Sequence, residues 1–151
     1  MDHLALHIDR VDFDTTRVAE GFSAGGIIYV TIGDSIFPGD QWYDKVYTDL
    51  KTWLPNLLSF GNRHTDSCIL QFMDGPCQIK LVRHVDDTVW VQAVWNHQVE
   101  ISSTNIDFTG FMESVLKCVR KYVLLLFEID LPVQFDKEIL QLRELLKTLR
   151  N

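Results

Sequence analysis

The chain has 151 residues, 46% of them hydrophobic and 23% charged, with 21 acidic side chains against 14 basic ones for a net charge of −7. That is enough apolar chain to bury a continuous core in a single globular domain over residues 1–151, and it excludes a disordered chain. The acidic balance repels phosphate backbones and argues against direct nucleic-acid binding, whereas it suits either plain solubility or a basic protein partner.

In chain order, Leu4, Leu6 and Ile8 alternate with Ala5, His7 and Asp9, the pattern of a strand with one buried face. Residues 14–26, with Gly21, Gly25 and Gly26, read either as a short edge strand or as a loop. Ile27 to Ile32 predicts a β-branched strand ending at Gly33-Asp34, followed by the turn segment Phe37-Pro38-Gly39-Asp40. A first helix is expected to start near Asp40, with Trp42 entering it as a core anchor and Val46, Leu50, Trp53, Leu54, Leu57 and Leu58 on one stripe. Pro55 interrupts that stripe and predicts a kink or an end to the regular helix.

Residues 66–102 read as a meander of four antiparallel strands. Cys68, Leu70 and Phe72 share one face, and Asp74-Gly75-Pro76 turns the chain. Cys77, Ile79 and Leu81 share the next face, with a turn at Asp86-Asp87. Val89, Val91, Ala93 and Trp95 form the third inner face, and Val99 and Ile101 the fourth. Asp107 is a natural N-cap for a second helix whose stripe runs from Phe108 to Leu126. Leu131-Pro132 breaks the chain, and Asp136 opens a last helix with Ile139, Leu142, Leu146 and Leu149 on its apolar side. The expected fold is α+β, an antiparallel β-sheet with about three α-helices packed on one face.

Cys68, Cys77 and Cys118 are odd in number and lack C-x-x-C spacing, so reduced thiols are expected. The N-terminus has no signal-peptide pattern, and the most apolar run, Tyr122 to Phe127, is too short for a bilayer. A cytoplasmic location without membrane contact is expected.

No catalytic residue, metal site or cofactor is expected. His3 and His7 share a strand face but stand about 13 Å apart, too far for one ion. His64, His84 and His97 border loops beside acids, without anything in the sequence that brings them together. The scattered glycines precede a strand, whereas a phosphate loop leads from a strand into a helix. Trp90 is out of phase with Val89, Val91, Ala93 and Trp95 and so faces away from the core. It is either covered by the N-terminal segment or anchors an interface, where Trp is over-represented.

The stretch Phe37-Pro38-x-x-x-Trp42, the helix of Trp53-Leu54, and Phe72-Met73-Asp74-Gly75-Pro76 with its alternating strand resemble small bacterial immunity proteins of contact-dependent and polymorphic toxin systems. The likeness runs from about Ile27 to Phe127. The resemblance implies a non-enzymatic protein that binds and neutralises a cognate toxin domain, a nuclease being one such domain. Charge and turn position then make Asp34, Asp40, Asp44, Asp74, Asp86 and Asp87, with Trp90, the candidate contacts. The competing readings are a ligand- or partner-binding domain of another bacterial system and a hydrolase whose site is assembled from distant residues.

Overall fold

The computed structural model of the protein describes residues 1–11, 25–128 and 136–150. Its fold is α+β, and the strands divide between two antiparallel sheets rather than joining in one.

In the first sheet, β1 (Leu4–Val11) pairs with β2 (Gly26–Ile32), and β2 pairs along its other edge with β3 (Ser35–Phe37) and β4 (Tyr43–Asp44). Leu4, Leu6 and Ile8 stand opposite Ile32, Val30 and Ile28, so the alternation legible in β1 becomes three apolar cross-strand pairs on the core face. The expectation for residues 14–26 falls outside the described residues except at Gly25 and Gly26. At Gly26 the two strands approach so closely that a Cβ would stand 1.8 Å from the Arg10 carbonyl oxygen.

The first helix begins later than expected. Trp42 and Asp40 precede it; the Trp42 carbonyl instead accepts the Ile28 N–H at 3.0 Å, and Tyr43 and Asp44 pair with Ile27 and Gly26. The reason is that β3 ends at Phe37 and leaves the start of β2 without a partner on that edge, which β4 supplies. Helix α1 (Val46–Gly61) then runs through Pro55 without ending there. Lys51, whose carbonyl Pro55 cannot bond, lies with Pro55 on the exposed side, where water can take the lost bond.

The second sheet is the expected meander, β5 (Ser67–Gln71), β6 (Cys77–Arg83), β7 (Val89–Trp95) and β8 (Gln98–Ser103), in that order. Leu70, Ile79, Val91 and Ala93 are completely buried on its inner face. One expectation reverses: Val99 is exposed. A bulge sets Ala93 opposite Ile101 but Val94 opposite Val99, so Glu100 is the extra residue and the strand's first half turns its Val outward.

Helix α1 packs against β5, and α2 (Phe108–Glu128) packs against β1, with Asp107 Oδ1 accepting the Gly110 N–H at 3.0 Å as the expected N-cap. Helix α3 (Asp136–Arg150) lies against α1 and α2 and buries Ile139, Leu142 and Leu146. One continuous cluster of buried side chains connects both sheets and all three helices.

Gly26→Ala should prevent folding or cost at least about 3 kcal/mol, because the obstructing atom is backbone. Gly39→Ala, whose Cβ would meet nothing within 4 Å, should change stability by less than about 0.5 kcal/mol. Urea denaturation of the two variants checks the pair, and a wild-type midpoint for Gly26→Ala contradicts the register.

Candidate functional site

Two places in the molecule gather polar chemistry. The first is a buried joint between the sheets. Asp44, at the end of β4, and Asp49, in the first turn of α1, have no exposed surface. Asp44 Oδ2 accepts the Trp42 indole N–H at 2.9 Å, its Oδ1 accepts the Lys45 N–H at 2.7 Å, and the Asp74 N–H reaches its two oxygens at 3.2 and 3.3 Å. Asp49 Oδ1 accepts the Met73 N–H at 3.1 Å. The pair therefore holds the turn between β5 and β6.

Aromatic packing closes the joint around that turn. Trp42 lies over Gly75, where φ is +136°, a conformation that favours glycine, and where an added Cβ would press on the indole ring at 3.0 Å. Phe72 meets Trp53 and Phe37 edge-on at ring distances of 5.0 and 6.1 Å, and Trp42 meets Trp95 edge-on at 5.6 Å. The two short segments that carried the resemblance are thus one piece of structure.

Burial, followed by the Asp44 charge, pushes the Asp49 carboxyl up to about 9. Its Oδ2 is enclosed and meets no donor, the setting of a carboxylic acid that keeps its proton at neutral pH. Burial likewise raises the Cys68 and Cys77 thiols to about 12, and all three cysteines are unpaired. A proton-sharing carboxyl pair could in principle do acid–base work, but this one has no surface on which to meet a substrate. Its geometry serves the fold.

The second place is the outer face of the second sheet, which no helix among the described residues covers. Cross-strand register lays out its rows. Ile69, Lys80, Gln92 and Ser102 stand side by side across the four strands, and Val82 stands opposite Trp90 in the next row. Trp90 is 39% exposed, Ile69 43% and Val99 52%, and the row of Lys80, Gln92 and Ser102 separates Trp90 from Val99. The His84 ring lies against Trp90 with centroids 3.6 Å apart, and the Trp90 indole N–H reaches Thr88 Oγ1 at 3.3 Å. His84 backs the Trp90 ring, and the expected cover by the N-terminal segment lies in part outside the described residues.

The β6–β7 hairpin projects beside this face. The Asp87 N–H bonds the His84 carbonyl at 2.9 Å, Asp87 takes φ +67°, and the His84 N–H bonds the Thr88 carbonyl at 2.9 Å, a three-residue loop with Val85 fully exposed at its tip. Asp86 accepts both the Thr88 hydroxyl at 2.7 Å and the Thr88 N–H at 3.2 Å, and these bonds hold it below the usual carboxylate range. Asp87 is gripped by both Arg63 guanidinium nitrogens at 2.7 and 3.0 Å, which lowers it likewise.

The sequence candidates therefore separate. Asp86, Asp87 and Trp90 come together on the outer sheet face and its hairpin. Asp74 is exposed on the β5–β6 turn, Asp34 on the β2–β3 turn, and Asp40 before β4. Asp44 is a correction: it is completely enclosed, and its carboxylate is occupied by the indole and backbone donors around it. Sequence reasoning passed over Asp49, although an acid three residues after Val46 and four before Trp53, inside an apolar stripe, is itself a signal of a buried carboxyl. Lys80 and His84 were hidden because their closeness to Trp90 depends on strand register. Among the described residues no group of three or more His, Cys, Asp and Glu is placed to hold a metal ion, and no helix is long and apolar enough to cross a membrane. No known family, curated protein or solved structure matches the chain.

The raised Asp49 carboxyl makes a signed prediction. Between ~4, where an unfolded carboxyl titrates, and about 9, the folded chain holds a proton that the unfolded chain has lost, so stability falls as pH rises through that window. Asp49→Asn can accept from Met73 and donate toward Asp44 without ever ionising. It should keep the fold and remove a slope of up to about 1.4 kcal/mol per pH unit. Urea unfolding of both proteins across that range tests this; parallel stability curves would show that Asp49 is ionised in the fold.

Proposed function

We propose that the chain is an immunity protein, one that binds a cognate toxin domain and neutralises it by occupancy rather than by turnover. The observation that carries this reading is the uncovered outer face of the second sheet, with Trp90 standing 39% exposed at its hairpin end beside two acids. Trp is among the residues that most often dominate binding energy, because its large rigid surface is desolvated at little cost in conformational freedom. The net charge of −7 favours a basic partner, such as a nuclease domain with a cationic substrate cleft, by steering the encounter. The resemblance of the Phe37 to Trp42 and Phe72 to Pro76 segments to immunity proteins points the same way.

The acids divide by role on this reading. Asp87 is committed to Arg63, so its neutralisation would release a cation and loosen the hairpin's tie to the end of α1. Asp86, Asp74, Asp34 and Asp40 are the exposed acids that remain for long-range attraction.

Co-purification with the product of a neighbouring toxin gene is the direct test. Trp90→Ala should speed dissociation and cost on the order of 2 kcal/mol of binding by the folded protein, beyond whatever the lost contact with His84 costs the urea midpoint. Asp74→Asn should instead slow association and flatten its salt dependence. Turnover of a small substrate by the purified chain, with no binding to any such toxin, defeats the proposal.

A further inference from the structure

Beside Trp90 the outer face opens into a cavity of about 330 Å³ lined by Lys80, His84, Trp90, Gln92, Ser102 and Thr104. Its chemistry is unlike the rest of the surface. Its polar lining is an ammonium, an amide, the His84 ring and the hydroxyl residues Ser102, Ser103 and Thr104; Ser103 donates to Asp2, and no acid is itself among the lining residues. Among the described residues Lys80 makes no hydrogen bond or ion pair, in a protein whose acids outnumber its bases. Of the nearest hairpin acids, Asp87 is paired with Arg63, and Asp86 accepts two bonds from Thr88 and keeps its charge on the hairpin. His84 Nε2, on the same wall, is enclosed and has no partner. The register explains how the groups meet: Lys80, Gln92 and Ser102 form one row across β6, β7 and β8, and Trp90 stands one row away.

We propose that this cavity is a recognition subsite for a carboxylate on a short apolar stem, the side chain of a glutamate on the docking partner. Lys80 is its counter-ion, Gln92, Ser102 and Thr104 donate to its oxygens, and the Trp90 ring covers the stem. A lone cation matches a carboxylate better than a doubly charged phosphate, and the indole wall gives the methylene groups apolar contact. The sign of the site is opposite to that of the whole protein. A basic toxin domain drawn in by the net charge would be held only if it also presents an acid at this point, which makes the subsite a source of specificity.

The inference rests on the reading of this face as the docking surface, but it can be tested without the partner. The probe is N-acetylglutamate α-amide, followed by the amide resonances of Ser102 and Thr104 and the indole N–H of Trp90 in two-dimensional NMR. Saturable shifts are expected with this probe and not with its neutral isostere N-acetylglutamine α-amide. Lys80→Met, at a half-buried outward position, should leave the remaining spectrum intact and weaken the probe by about tenfold or more, the loss of a charge-assisted hydrogen bond. Absence of shifts, or equal shifts with the glutamine probe, overturns the carboxylate assignment while leaving toxin capture through Trp90 to stand or fall separately. Tighter binding of inorganic phosphate would make the cavity a general anion site, and equally tight binding of acetate would make it a site for free small carboxylates. Either result overturns the partner side chain as its occupant.

Discussion

The two sheets share no strand; the Asp2 segment ahead of β1 bonds Ser103, Asn105 and Asp107 at one end of the second sheet, and at the β5–β6 turn a pair of buried carboxyl groups grips the backbone. Asp44 belongs to the first sheet and Asp49 to the helix that follows it, yet the backbone they hold, Met73 and Asp74, belongs to the second sheet. Removing two carboxyls from water is costly, and two adjacent charges would cost more; the arrangement is tolerable because Asp49 keeps its proton. A greasy contact in the same place would slide. Directional bonds to two consecutive N–H groups set one register between the sheets, and Gly75 lets Trp42 close over the turn. The Phe37, Trp53 and Phe72 rings can then pack in one arrangement only, which is how a buried polar pair converts stability into specificity.

A two-sheet protein also has four strand edges to manage, and here each is treated differently. Along β1, Ser114 Oγ accepts the Leu6 N–H at 3.0 Å and the Cys118 thiol bonds the Leu6 carbonyl at 3.1 Å, so α2 caps that edge. Along β5, the Trp53 indole N–H takes the Gln71 carbonyl at 2.7 Å and the Asn56 amide the Ile69 carbonyl at 3.2 Å, so α1 caps the other. The first sheet's far side ends in β3, only 3 residues long, and the second ends in β8, broken by its bulge at a charged residue. Short strands, bulges and edge charges all discourage pairing with a further strand. Closed edges leave faces rather than strands for a partner to meet, and the sheet face on which an exposed tryptophan stands is the outer face of β5 to β8.

Much of this was legible in the sequence because a half-buried strand and an amphipathic helix announce themselves by period. The meander, the second and third helical stripes, the Asp107 cap and the outward phase of Trp90 all follow from alternation or spacing. The misreadings share a cause: each turned on a partner far away in the chain. Asp40 to Asp44 looked like the opening of a helix, but the vacant start of β2 drew Tyr43 and Asp44 into the sheet. Pro55 looked like a kink or an end, but the helix runs on past it with the missing bond on the exposed side. Val99 looked buried because alternation cannot register a bulge. Asp44 looked like a surface acid because turns collect aspartate, and only the fold reveals that a distant turn needs its carboxylate. Lys80 went unremarked for the same reason, since its neighbours Gln92 and Ser102 lie on other strands.

The period of a strand then separates what holds the protein together from what a partner would meet. In β6 and β7 the inward residues Ile79, Leu81, Val91 and Ala93 are completely buried in the core, and Lys80, Val82, Trp90 and Gln92 alternate with them on the opposite face. The outer rows can change identity without disturbing the packing beneath them, while the inner rows and the Asp44–Asp49 joint keep the face flat and its register constant. An inhibitor matched to one toxin needs that division, because its specificity must follow the partner while its scaffold stays fixed. The long-range charge is spread over loops and turns on several sides of the molecule, so it can attract a basic domain without deciding which one. On the proposed reading discrimination comes from close contact, and the two groups assigned to it, the indole of Trp90 and the ammonium of Lys80, lie in neighbouring rows of one sheet face.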